Sequence, residues 1–263
     1  MASHAATIVA SNPPRRFSWW LPYAAVLGME WRQTWRSWMF RVAMLLVAVL
    51  AIGYVLHRAA IYHQAGILQS ATVTLAEVLQ AGLLLGPTLM VILSAGTIAS
   101  ERGTLADSVL SRGISRYAYF FGKWHGRLAA LLAGYFLTAG MALLLACVLL
   151  RREDLSLVGT LWALLLEASV LAAVISIGVF FSTTSPGTAM AMLLTWVVIH
   201  GLAALLWISG LTLLNPQGLW RWLPFLLRGQ YDAVVVAQAI GWAWLVAMGA
   251  ALIGLVHFSR CDV

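Results

Sequence analysis

Charge is what this chain has least of. Asp, Glu, Lys and Arg together make up 10% of its 263 residues, where a soluble domain carries roughly 25%. No polar stretch exceeds about 30 residues, roughly a fifth of a typical domain, so there is no room for a separate soluble catalytic unit. Only two cysteines occur, Cys147 inside an apolar run and Cys261 near the end, which argues against a disulfide scaffold. No G-x-x-x-x-G-K-[ST] phosphate loop is present, since Gly122-Lys123 is followed by Trp124 and lacks the upstream glycine. Without that backbone nest the chain is not expected to hydrolyse ATP, and it is read as a non-enzyme. The six histidines show no H-x-x-x-H or H-E-x-x-H spacing, so no metal site or cofactor is expected. The net charge of +7 does not signify nucleic-acid binding, because basic residues in so apolar a chain mark cytoplasmic flanks and contacts with the lipid bilayer.

Apolar residues are what it has in excess, at 62%. Six runs are long enough to cross a bilayer: 39–56, 78–99, 128–150, 157–181, 189–214 and 234–256. Leu, Ala, Val and Gly dominate them without the alternating polarity of barrel strands. The fold class is therefore an all-α integral membrane protein with six transmembrane helices in one domain covering 1–263. Arg15, Arg16, Arg32, Arg36, Arg41, Arg102, Arg112, Arg116, Lys123, Arg127 and Arg260 fall on one side of this topology. Arg58, Arg151, Arg152, Arg221 and Arg228 fall on the other. The excess places both termini in the cytoplasm, and the expected localisation is a bacterial inner (plasma) membrane.

The stretch 18–38 reads as an interfacial amphipathic helix. Trp31, Trp35, Trp38 and Met39 recur on one face beside a row of Arg32 and Arg36, a pattern suited to the headgroup plane. Pro14-Arg15-Arg16-Phe17 is similar to a twin-arginine export signal, but Glu30-Trp31-Arg32 ends the apolar stretch with no small-residue cleavage site. On the outer side, 215–233 is too short and broken to span, and its aromatics put it at the interface.

The segment from Glu101 to Arg127 carries the most information. Thr104 with Asp107 approximates a capping box that starts a short helix at Leu105. Gly113 can end that helix, and Ser115 can cap the next one, which runs into the third span. The expected shape is a helical hairpin over 101–124 projecting into the cytoplasm. Its string of Glu101, Gly103-Thr104-Leu105, Leu110-Ser111, Ile114-Ser115-Arg116 and Gly122-Lys123 resembles that of the ABC-2 type permeases, the membrane subunits of ATP-binding-cassette exporters. Gly113 stands where that family often has Pro. The resemblance implies a translocation path built with a second permease copy, as a homodimer, and driven by a cytoplasmic ABC ATPase subunit. It also implies that Glu101, Arg102, Gly103, Thr104, Leu105, Leu110, Ser111, Arg112, Ser115 and Arg116 form the ATPase-coupling surface. On that reading these residues cap a surface hairpin, and changing Glu101 or Arg116 costs little stability. The alternative is a non-transport membrane scaffold, or a small haem-binding enzyme using His125 and His257 at similar depth.

Two polar residues lie inside the spans. Glu167 in the fourth and His200 in the fifth fall near mid-depth, where an ionised group is expensive. They read either as a buried pair locking two helices or as residues of a transport path. Gly82, Gly86 and Pro87 in the second span read as close-packing and kink positions. From the charge asymmetry, a cysteine placed within 151–154 is expected to react with a membrane-impermeant maleimide added from outside. Labelling only from the cytoplasmic side would reverse the topology.

Overall fold

A computed structural model of the chain describes residues 20–101, 114–151, 153–208 and 216–260. Eight α-helices occur among them: α1 Trp20–Arg36, α2 Trp38–Ala65, α3 Ala71–Ser94, α4 Arg116–Leu149, α5 Leu157–Thr184, α6 Thr188–Ile208, α7 Pro216–Leu227 and α8 Ala233–Arg260. A short 3-10 turn, Ala99–Glu101, extends α3. Six of the helices, α2–α6 and α8, are long and apolar enough to cross a membrane. They coincide with the six apolar runs, and most extend beyond them because flanking polar residues stay helical past the hydrocarbon. At 34 residues α4 is about 51 Å long, well beyond the ~30 Å hydrocarbon core, so its first turns stand outside it.

The helix termini gather at two ends. At one end lie α1, the end of α3, the start of α4 and the close of α8, joined where Arg116 Nη1 donates to the Ser259 carbonyl at 3.1 Å. At the other end the 65–71, 150–156 and 227–232 connections meet: Ala71 N donates to Arg151 O at 2.7 Å and Ser156 N to Leu227 O at 2.8 Å. The described members of the two groups of basic residues separate onto these two ends. On the second end Arg58 Nη2 pairs with Glu77 at 2.6 Å, and Tyr54 Oη donates to the same carboxylate.

The centre of the bundle is α5, most of whose apolar stretch is buried, whereas α2 and α6 are mostly exposed. Small residues bring helices against it. Gly82 and Gly86 on α3 face Glu167 and Leu171, and farther along the same direction Ser94 meets Gly178. Ser182 then accepts from the Ile98 and Ala99 amides, both at 2.8 Å. Thus α3 and α5 run in parallel contact through a glycine seam, the close approach that small residues permit in membranes. The close-packing role expected of Gly82 and Gly86 is realised on α5.

Two expectations change. The segment 215–233 is too short to span, as expected, but its residues 216–227 form α7, a twelve-residue helix whose Leu219, Leu223, Leu226 and Leu227 are buried against α3 and α5, with a non-helical connection over 228–232. Its end is a glycine stop: Gly229 has φ +76°, and Gln230 N reaches back to Phe225 O at 2.9 Å. The projecting hairpin is also different in its second arm. Tyr119, Phe120, Lys123 and Trp124 of α4 are buried, because their aromatic rings pack on Phe258 of α8 and Trp124 Nε1 donates to Ser176 of α5 at 3.0 Å. Thr104, Leu105, Asp107 and Gly113, which were to shape the first arm, lie outside the described residues.

Where α5 starts it rests directly on the α7 backbone, and a Cβ at Gly159 would stand 1.8 Å from Leu226 O. Gly159→Ala is therefore expected to destabilise by about 3 kcal/mol, the upper range for overpacking. Gly140, with nothing near its Cβ position, should tolerate alanine. Thermal unfolding of both variants in detergent checks this, and equal melting temperatures would refute it.

A buried ionic cluster joining three segments

One face of α1 is not at the interface at all. Val26, Glu30 and Thr34, spaced by four, are buried against Gly122 and Gly126 of α4, where added Cβ atoms would approach Val26 and Glu30 to 2.8 Å. The spacing Gly122-x-x-x-Gly126 provides the backbone groove that lets α1 lie this close. The expected tryptophan row is divided: Trp31 and Trp35 are half-buried on α1, and Trp38 opens α2 at 76% exposure. The residue that docks α1 is its one acid.

Glu30 and Lys123 are both 0% exposed. Lys123 Nζ lies 2.7 Å from Glu30 Oε2 and 2.5 Å from Glu101 Oε1. Tyr119 Oη donates to Glu101 Oε2 at 2.6 Å, and Lys123 Nζ sits 5.8 Å from the Tyr119 ring centre. Arg127 completes the set. Its Nη2 is 2.8 Å from Glu30 Oε1, its Nη1 donates to Thr34 Oγ1 at 3.0 Å and its Nε to Thr97 Oγ1 at 3.0 Å. Each threonine hydroxyl passes its own proton to a backbone carbonyl, Thr34 to Glu30 O and Thr97 to Ser94 O. Both Glu30 oxygens stand at ion-pair distance but off the hydrogen-bonding directions, so Glu30 is held by charge and Glu101 by directed bonds. Two carboxylates face two cations, and the cluster as a whole is neutral. That balance is what permits four ionised groups to leave water together.

Of the residues assigned to coupling, Glu101, Ser115 and Arg116 are described. Glu101 is 6% exposed, so its place on a free surface is corrected: it is a buried member of the ionic cluster. Ser115 caps α4 as expected, accepting from Ala118 N at 3.1 Å. Arg116 is half-buried against the end of α8. Arg102, Gly103, Thr104, Leu105, Leu110, Ser111 and Arg112 lie outside the described residues. Glu30 and Arg127 stand in the sequence as single charges, and Lys123 closes the Gly122-Lys123 pair of the family-like string, with nothing to show that the three meet. The available signal was their position, since acids and bases are rare here and these flank the two most informative segments.

The intramembrane pair is not a pair. Glu167 is buried between α3, α4 and α5, its Oε2 accepting from Tyr135 Oη at 3.1 Å while its carboxylate lies against Gly82. His200 is on α6, stacked on Trp196 with ring centres 4.3 Å apart, its Nδ1 3.0 Å from Trp196 O. Depth matches, but the two side chains face different neighbours. His125 is 3.0 Å from Tyr23 Oη and its ring centre lies 4.4 Å from that of Trp124. Among the described residues no three His, Cys, Asp or Glu side chains are grouped to hold a metal ion.

Removing Lys123 alone leaves two buried carboxylates facing each other. Lys123→Met is expected to cost about 3–5 kcal/mol. Adding Glu101→Leu restores charge balance, with Glu30 against Arg127, and should recover more than half of that loss. Glu101→Lys is expected to be as damaging as Lys123→Met. Unfolding midpoints in detergent for the three variants measure this, and additive losses in the double variant would contradict it. At Glu167, Gln keeps a partner for Tyr135 and should cost less than about 1 kcal/mol, whereas Leu should cost about 1–3 kcal/mol. Equal midpoints for Glu167→Gln and Glu167→Leu would remove the hydrogen bond from the account.

No protein-family model matches this chain, and no curated protein matches it in sequence.

Proposed function

We propose that this chain is the permease subunit of an ABC-2 type exporter, working with a separate cytoplasmic ATPase subunit and a second permease copy in a bacterial inner membrane. The observation that carries the reading is the ionic cluster at the base of the 102–113 segment. Glu101 enters that segment and Lys123 and Arg127 lie just beyond it, so both of its feet are tied to one another and to Glu30 of α1. A partner pressing on 102–113 would move the ends of α3, α4 and α1 as one body. The resemblance of the Glu101–Lys123 string to the coupling segment of these permeases gives the partner its identity. These residues hold no phosphate loop, so on this reading ATP is hydrolysed by the partner ATPase.

In this mechanism ATP closes the ATPase dimer, the coupling segment shifts, and the helices repack to open a path between the two permease copies. The energy available is the difference in ATPase binding between the two arrangements, so the segment must be held differently in each. With Tyr135 and Gly82 around it inside one copy, Glu167 takes a structural part in this scheme.

The first test is whether a gene for an ABC ATPase lies beside this one, and the second is reconstitution of the chain with that ATPase. The chain alone should hydrolyse no ATP. A cysteine at Ser111 should cross-link to the ATPase, and Arg112→Glu should lower transport at least about ten-fold, a coupling loss near 1.4 kcal/mol, with an unchanged melting temperature. Wild-type transport and partner binding in Arg112→Glu, with no cross-link at Ser111, would overturn the assignment.

A further inference from the structure

The exposed face of α1 is cationic and carries no acid. The helix has one acidic residue, Glu30, and it is turned into the ionic cluster on the opposite face. What remains outward is a shallow groove of about 350 Å³ lined by Ala25, Met29, Arg32, Gln33 and Arg36. Arg32 and Arg36 are one turn apart on the same row, where side chains stand about 5–6 Å from each other at their Cβ atoms. Among the described residues neither makes an ion pair. The Arg32 guanidinium lies 3.9 Å from the Cβ position of Gly28. The apolar part of the lining is Ala25 and Met29; Met29 is exposed, as is Leu21 two turns nearer the helix start. Exposed Trp20 and Trp38 stand at the two ends of the helix region, as aromatic rings do at the headgroup level.

We propose that this groove is a binding site for the phosphate of an anionic phospholipid. Two guanidinium forks with an amide beside them match a phosphodiester, whose oxygens accept paired N–H bonds. The apolar part of the lining accepts the glycerol and upper acyl carbons that a free phosphate lacks. Charge complementarity and the position of α1 at the end of a membrane-spanning bundle both select lipid over an acidic protein. The site belongs to α1 alone and does not depend on the transport reading.

Native mass spectrometry of the intact, delipidated chain in detergent tests this, with phosphatidylglycerol, phosphatidylcholine and glycerol 3-phosphate as probes. Phosphatidylglycerol should bind at least about ten-fold more tightly than phosphatidylcholine, as expected for two cations acting near the headgroup. Arg32→Gln/Arg36→Gln should abolish that preference without moving the melting temperature, since both side chains are exposed. Arg32→Lys/Arg36→Lys should keep part of it, because charge survives and the fork does not. Arg221→Gln, exposed at the opposite end of the bundle, should leave it intact. An unchanged preference in the double Gln variant overturns the proposal. Binding of glycerol 3-phosphate as tight as that of phosphatidylglycerol overturns the choice of lipid, and so does a double Gln variant that keeps its lipid but loses an acidic protein partner.

Discussion

Charge that leaves water must leave in balance, and this structure is organised around one place where it does. Glu30, Glu101, Lys123 and Arg127 come from three separated stretches of the chain and neutralise one another within a few ångströms. Everything at that end follows from the meeting. Gly122 and Gly126 must lack side chains so that α1 can bring Glu30 in. Thr34 and Thr97 must be hydroxyl residues so that Nη1 and Nε of Arg127 find acceptors while Nη2 faces the Glu30 carboxylate. Tyr119 must be a phenol to occupy the second oxygen of Glu101. Each choice would be unremarkable at a wet surface, where ion pairs contribute little. In a site closed to water, each decides whether the cluster is stable.

The remaining helices are arranged by the same scarcity of solvent. The small polar side chains of α5 point inward, where Ser176 takes the Trp124 indole and Ser182 takes two backbone amides at the end of α3. Glu167 is answered by Tyr135. The most exposed spans, α2 and α6, bury few residues of their apolar stretches.

Hydropathy alone made six spans readable, because a run of Leu, Ala and Val has no other stable home. Local chemistry made Ser115 readable as a cap, and Gly82 and Gly86 marked α3 as a close-packing helix, though not α5 as its partner. The ionic cluster was not readable in the same way: its members are distant in sequence, and periodicity on α1 highlights the conspicuous tryptophans over a single buried acid. Glu167 and His200 show the limit of counting depth. Rise along a helix axis follows from residue number, but which way a side chain faces depends on how each helix is rotated in the bundle. Gly82 on α3 and Tyr135 on α4, rather than the neighbour in sequence, determine what Glu167 meets. For α7 the proline and the aromatics suggested an irregular surface segment. Four leucines on one side of a short helix outweighed them once α3 and α5 offered a surface.

The distance in sequence between Glu30 and its partners has a consequence for how the protein is made. As the chain leaves the ribosome, α1 emerges first and its acid has no counter-ion until α4 follows, two membrane crossings later. During that interval α1 has to remain hydrated at the bilayer surface, with α2 and α3 already inserted. Arrival of Lys123 and Arg127 then gives Glu30 its charges and gives Val26 and Thr34 their contacts in a single step. The ionic cluster thus cannot close before α4 is made, and a chain that stopped short of α4 would leave Glu30 without Lys123 and Arg127.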